Sequence, residues 1–312
     1  MRKLVVITLT LSVFLFVSCS DDKSVTIAEQ YGLAYAPLQI MREKAFFEEL
    51  EPDFEVKWVK LGNTAAIREA VLAGEVDAGF LGIPPLLIGA DKGMDWKLIS
   101  GLSVCPVGLV AESSEIPDFG SLRKDHRIAL PQPGSIQHIL LSMAAERERG
   151  DPALFDGSLV TMKHPDGMMA LLSGAVDAHF TSPPYIFMEN EGGGGYETVL
   201  GGTEAFGGEF SFIVAMADGA FIKDRPELLN SFLTALERAV DFIGARPEEC
   251  ARILAGIYEL PQEDILRYIT YPGMKYTTEI KGLGRFIEFM TENNYLSSGL
   301  TESDVLYEGL RD

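Results

Sequence analysis

This 312-residue chain predicts an α/β fold of two similar lobes, joined by a hinge and followed by a helical tail. Two observations carry that expectation. The first is a repeat. Ala70-Val-Leu-Ala-Gly74-Glu-Val-Asp77-Ala78-Gly-Phe80 returns 100 residues later as Ala170-Leu-Leu-Ser-Gly174-Ala-Val-Asp177-Ala178-His-Phe180, with seven of eleven positions identical. Each copy leads into a double proline, Pro84-Pro85 and Pro183-Pro184. That period is too long for a solenoid, whose units run about 20–50 residues, so it points to one copy per lobe. The second observation is the alternation of strand-like and helix-like segments in both halves, which predicts parallel sheets with helices on both faces.

Val25 to Ala28 reads as a strand, and Pro37 opens a helix with apolar residues at helical spacing from Leu38 to Leu50. Phe54 to Val59 alternates as a strand does. Asn63 or Thr64 caps a helix that stops at Gly74. Val76 to Leu81 is a strand and Pro84-Pro85 opens a helix; strands at Trp96–Leu102 and Val107–Ala111 close this half. The second half repeats the order. Arg127 to Leu130 is a strand, Ile136 to Arg149 a helix ended by Gly150, and Leu159 to Met162 a strand. His164 starts a helix stopped by Gly174, Val176 to Phe180 is a strand, and Ser182-Pro-Pro-Tyr185 starts a further helix. Gly192 to Gly195 lacks a following Lys-Ser/Thr, so it reads as a turn and not a phosphate loop. Phe210 to Ala215 returns as a strand. The remainder reads as helical, with Asp224-Arg-Pro226-Glu227 as a capping box ahead of Leu228–Ile243. The expected lobes are 25–108 plus 212–312, and 109–211, with crossings near Val107–Glu112 and Glu209–Val214 as the hinge.

Residues 1–18 read as an export signal. Arg2 and Lys3 precede an apolar run from Leu4 to Val17, too short to span a bilayer easily. Phe16-Val-Ser-Cys19 resembles a bacterial lipobox, with Phe16 where leucine is usual, so Cys19 is the expected lipid-attachment residue and 19–24 a polar tether. Without the signal, 24 basic residues face 46 acidic ones, a net charge of −22. Such a chain repels phosphate backbones and anionic lipid, so nucleic acid is excluded as a partner. Membrane association is expected through the lipid anchor. Cys105 and Cys250 sit in apolar and helical runs and read as buried free thiols. The chain has no Cys-x-x-Cys or His-Glu-x-x-His, and its four histidines are scattered, so no metal site or cofactor is expected.

The lipobox, the strand–loop–helix at Tyr31–Pro37, "LAGEVDAGFLGIPP", "ALPQPGSIQHILL" and "LLSGAVDAHFTSPPY" together resemble the substrate-binding proteins of bacterial ABC importers. The branch they resemble is the nitrate, sulfonate and taurine group, which includes proteins similar to thiamine-pyrimidine synthases. The resemblance runs from Ser24 to about Ile257. It implies a type II periplasmic-binding fold, a small ligand in the interlobe cleft, and an ABC permease with its ATPase as partners. The expected receptor is monomeric and sits in the periplasm or at the cell surface.

In open α/β sheets, ligands bind beyond the carboxyl ends of the strands. Those places are Tyr31–Tyr35, Gly82-Ile-Pro84, Gln132–His138 and Thr181-Ser182. Gly134 and Ser135 stand at a helix start, where free N–H groups favour an oxyanion, and Thr181 and Ser182 offer hydroxyls from the second copy. Tyr31 and Tyr35 suit stacking, Pro84 lies in the matching loop, His138 falls one turn into its helix, and Glu209 at the hinge suits a ligand amine. His179 reads as a satisfied core histidine, and Asp77 and Asp177 as acids that bond loop amides. No arginine or lysine lies inside these loops, so sulfonate, nitrate, taurine and an aminopyrimidine all remain open. Two other functions are weighed. An extracytoplasmic sensing module would need a membrane partner. A thiamine-pyrimidine-synthase-like enzyme would, by the family's pattern, carry a cysteine-rich iron-binding run, and this chain has none.

Overall fold

The computed structural model describes residues 23–297 and 299–310. The signal, Cys19 and most of the tether lie outside the described residues. Eleven strands form two sheets: β1 (Ser24–Glu29), β2 (Glu55–Lys60), β3 (Ala78–Leu81), β4 (Trp96–Val104), β5 (Gly108–Glu112), β6 (Ile128–Leu130), β7 (Leu159–Thr161), β8 (Ala178–Thr181), β9 (Tyr196–Gly201), β10 (Ile213–Asp218) and β11 (Lys275–Tyr276). The first sheet has the order β11-β4-β10-β3-β1-β2 and the second β7-β6-β8-β5-β9.

The repeat builds the same three strands in each sheet. β1 runs parallel to β2 and β3, and β6 runs parallel to β7 and β8. The sheets are nevertheless mixed, which corrects the expectation of parallel sheets. β10 is antiparallel to β3 and β4, and β5 is antiparallel to β8 and β9. The cause is the route of the chain. It passes from β4 in the first sheet to β5 in the second, and returns from β9 to β10. A strand arriving from the other sheet enters from the opposite end, so it pairs antiparallel.

Both copies bury the same side chains. Phe80 and Phe180 are fully buried, as are Ala78 and Ala178. Helix Ile83–Asp91 carries Gly89 because the Trp96 indole packs against it; a Cβ there would sit 1.8 Å from the ring. The first helix stops at Glu43, short of the expected Leu50, and Ala45 adopts φ 53°. Adjacent helical residues diverge by about 100°, whereas the turn lets Phe46 and Phe47 both enter the core. They meet the long helix Pro226–Ala245 through Phe46–Phe242 and Phe47–Phe232 ring contacts at 5.6 and 6.4 Å. The expected capping box at Asp224 is absent. Asp224 ends the preceding helix, Gly219–Asp224, and Arg225 is the N-cap with no side-chain bond.

The helical tail packs on both sheets' lobes. Helix Leu283–Glu292 sets Phe286 against Phe206 and Phe210, and Tyr295 donates to Ser142 Oγ at 2.9 Å. Cys105 and Cys250 are buried and free.

Candidate ligand-binding site

A cleft between the two sheets collects the ends of four helices. Thr64–Leu72, Ile136–Arg149 and His164–Leu172 begin at residues that line it, and Ile83–Asp91 follows the lining N-cap Gly82. The reason is topological. A helix that follows a parallel strand starts at the strand's carboxyl end, so consecutive units aim their N-termini at one crevice. Each N-terminus presents the positive end of its dipole, and it also offers first-turn N–H groups except at Pro84, Pro85 and Pro165, which have none. Asn63 Oδ1 takes the Ala66 N–H at 3.0 Å and Ser135 Oγ the His138 N–H at 3.3 Å, leaving other first-turn donors free of these caps.

The lining follows the repeat. Tyr31 and Pro131, Tyr35 and Ser135, Thr64 and His164, and Gly82 and Ser182 are pairs 100 residues apart, and all eight residues line the cleft. Gln30, Gly62, Pro85, Ile136, Gln137, Lys163, Phe212 and Ile213 complete it, around about 500 Å³ of atom-free space that is partly open to solvent. The lining therefore holds one ammonium and no carboxylate. Lys163 reaches across to Gly62, where a Cβ would sit 2.8 Å from its Cε. Lys60 Nζ lies 5.2 Å over the Tyr31 ring.

Contacts bridge the cleft directly. Leu33 N donates to Pro183 O at 2.9 Å, Ala65 N donates to Gln132 Oε1 at 3.2 Å, and Gly82 abuts Ile136. The Tyr31–Tyr35 loop is pinned from behind: Tyr258 donates to Gly32 O at 2.6 Å and Tyr276 to Leu33 O at 2.9 Å. Burial lifts the Tyr35, Tyr258 and Tyr276 phenols well above their ordinary range, so all three stay protonated.

Of the expected site residues, Tyr31, Tyr35, Ser135 and Ser182 line the cleft. The others stand elsewhere. Pro84 is buried and its neighbour Pro85 faces the cleft. Gly134, at φ 78°, gives its N–H to His138 Nδ1 at 2.9 Å. That bond turns His138 away, and its Nε2 meets Asp156 at 3.0 Å while Tyr295 packs edge-on against the ring. Thr181 is buried behind the lining, with Oγ1 3.4 Å from His164 Nδ1. Glu209 lies outside, held by Lys275 and Lys281, whose ammonium groups keep its carboxyl below the usual range.

Sequence reasoning missed Lys163, His164 and Gln137. The register of the repeat was the available signal, since His164 matches Thr64 and both begin helices on the cleft. Behind His164 lies a buried chain. His164 Nε2 is 3.2 Å from Gln137 Nε2, His164 Nδ1 is 3.3 Å from His179 Nε2, and His179 Nδ1 is 2.6 Å from Glu189 Oε1. Burial holds His164 well below its ordinary range, pulls His179 down to about 3 and lifts Glu189 to about 9. His179 is thus a partnered core histidine, as expected. Among the described residues, no group of histidines, cysteines and acids is arranged to hold a metal ion.

Residues 20–258 match the NMT1-like family. The chain belongs to that family. A putative aliphatic sulfonates-binding protein of Bacillus subtilis (strain 168) is 25% identical to this NMT1-like chain over 273 residues, covering 82% of it and 79% of the relative. Among solved structures, the alkanesulfonate-binding protein SsuA from Xanthomonas axonopodis pv. citri, bound to MOPS, superimposes with a TM-score of 0.78. It is 18% identical, over 91% of this chain and 98% of its own. The periplasmic nitrate-binding protein NrtA from Synechocystis PCC 6803 gives 0.73 at 16% identity, over 93% and 87%. The NMT1-like chain therefore has the two-sheet fold of periplasmic binding proteins.

Proposed function

We propose that this chain is the solute-binding component of an ABC importer for small oxyanions of the sulfonate or nitrate type, with no chemistry of its own. The observation that carries this reading is the cleft's polarity. Four helix N-termini and the Lys163 ammonium converge on a lining without a carboxylate. Each N-terminus is worth about 0.3–1 kcal/mol to an anion and disfavours a cation equally. A protonated aminopyrimidine would find no counter-charge there. Tyr31 and Tyr35, with Phe212 and Ile213, provide an apolar and aromatic flank for an organic group carried on a sulfonate. The sulfonate and nitrate names of its relatives support the same class.

Residues 25–108 plus 212–312 and residues 109–211 are taken as jaws that close about the two crossings. A lipid on Cys19 would hold the exported chain beside its permease and ATPase. A thermal-shift screen with methanesulfonate, taurine, nitrate and an aminopyrimidine tests the ligand class, because a molecule bound only to the native state raises Tm. The anions should raise it. A shift with the aminopyrimidine alone would sink the oxyanion reading.

A further inference from the structure

The two lobes differ where the second carries its histidines. In the first lobe Gly79 packs against Ile67, and a Cβ on Gly79 would meet Ile67 Cγ2 at 2.9 Å. In the second the sizes are exchanged: His179 replaces Gly79 and Gly167 replaces Ile67, and a Cβ on Gly167 would meet His179 Nε2 at 2.5 Å. At the same spacing, Thr64 stands for His164 and Pro37 for Gln137; counted from the double prolines, which are 99 residues apart, Ala90 stands for Glu189. The fold is built in the first lobe without any of these titratable groups. Their presence in the second, ending on a cleft-lining imidazole, calls for a function beyond packing.

Hydrogen-bond bookkeeping limits what the chain can be. Every link is a ring nitrogen facing a polar atom, so one donor must meet one acceptor along its length. Two directions satisfy it. With Glu189 ionised, His179 donates from Nδ1, His164 donates from Nδ1 to His179 Nε2, and His164 Nε2 is left as an acceptor. With Glu189 protonated, the carboxyl donates to His179 Nδ1, His179 Nε2–H donates to His164 Nδ1, and His164 Nε2–H becomes a donor at the cleft. Gln137 then accepts that hydrogen bond on its amide oxygen, the amide orientation being interchangeable, and its NH₂ is left for a ligand. Glu189 Oε2 is buried with no partner, which disfavours a full carboxylate charge there.

We propose that Glu189 is a positioning residue for anion recognition: its buried proton sets the direction of the His179–His164–Gln137 chain, so that the cleft end offers N–H donors. The inference rests on the oxyanion reading and adds the group that selects for it. Other titratable groups face the chain from the neighbouring elements. Tyr185 stacks on His164 at 5.9 Å between ring centroids, Lys163 and Tyr31 belong to the cleft lining, and Asp166 is exposed two residues further along the His164 helix. Thr181 completes the surroundings of His164 Nδ1.

Nitrogen NMR of the ligand-free, histidine-labelled protein at neutral pH tests this directly. His179 and His164 should both be neutral Nε2–H tautomers; Nδ1–H tautomers or an imidazolium would overturn the proposal. A second arm follows methanesulfonate, which stays ionised, by calorimetry from pH 7 to 10.5. Affinity should fall by about tenfold per pH unit once Glu189 ionises. Glu189→Gln, whose amide can still donate to His179 Nδ1, should remove that alkaline loss, and Glu189→Leu should weaken binding at every pH. An identical profile in wild type and Glu189→Gln would overturn the coupling. Correct tautomers with no binding of methanesulfonate, taurine or nitrate would count against the oxyanion reading and leave the assigned direction standing.

Discussion

Asp77 and Asp177, 100 residues apart, make the same bond in the two lobes. Asp77 Oδ2 accepts the Thr26 N–H at 2.8 Å and Asp177 Oδ2 accepts the Arg127 N–H at 2.6 Å. Each acid also donates its own N–H to the carbonyl of the same residue, at 3.0 and 2.9 Å. The pair of bonds fixes where the third strand of each lobe begins beside the first. Replacing a carboxylate by a methyl group leaves a main-chain N–H in or just before the first strand without its acceptor, which costs about 1–3 kcal/mol when the amide is buried. Asp77→Ala should fall in that range, and Asp177→Ala below it, because the Arg127 amide is more exposed. Urea midpoints of the two variants check the order.

The buried His179–Glu189 pair gives stability a pH optimum. His179 is depressed to about 3 from an ordinary 6.5, so below 6.5 the unfolded chain binds a proton that the folded chain refuses. Stability therefore falls as pH drops from 6.5 toward 3, and the depressed His164 adds to that loss. Glu189 is raised to about 9 from 4.5, so between those values the folded chain holds a proton the unfolded chain releases. Stability from this group falls as pH rises through that window. The two opposed slopes put the cluster's maximum near pH 6.5. Glu189→Gln should flatten the alkaline limb of a Tm-against-pH curve and leave the acid limb in place.

Lys163 is the one cation in the lining, and its side chain is exposed at the cleft mouth. Lys163→Gln should change stability by no more than about 0.5 kcal/mol, as surface substitutions do. Methanesulfonate affinity should weaken by about threefold to tenfold and become less sensitive to salt. Calorimetry at two ionic strengths reads both effects.

Gly82 tests closure. Its φ is −72°, so a side chain brings no backbone strain, yet a Cβ there would meet Ile136 Cβ at 3.0 Å across the cleft. Gly82→Leu should act as a wedge between lobes that each still fold. The radius of gyration in solution should then stay unchanged on adding ligand, whereas that of the parent chain should fall.

Much of the architecture was legible because the repeat is strong where strands meet glycine-stopped helices. The role of His179 as a partnered core group followed from its place within a strand; Asp77 and Asp177 do bond main-chain amides, but Asp77 takes that of Thr26 inside β1 and not a loop amide. The antiparallel strands were not legible, since hydrophobic alternation carries no direction. The end of the first helix at Glu43 is not legible, because apolar residues continue at near-helical spacing to Leu50 and nothing in the sequence marks the left-handed turn at Ala45. Within the site, the loops after strands are legible, but residue chemistry alone does not say which side chains face the cleft. His138 is turned inward by Gly134 and Asp156, and Glu209 is held outside by two lysines. The place of His164 on the cleft is visible only when position 64 is laid on position 164, and Lys163 stands beside it.

Calorimetric titration of methanesulfonate into the protein at neutral pH, with a protonated aminopyrimidine as the matched cation, bears most directly on the polarity of the cleft. One saturable site for the sulfonate and no heat from the cation is the expected result. Saturable binding of the cation, with none of the sulfonate, would contradict the reading of the cleft as a nest of helix N-termini around a single ammonium.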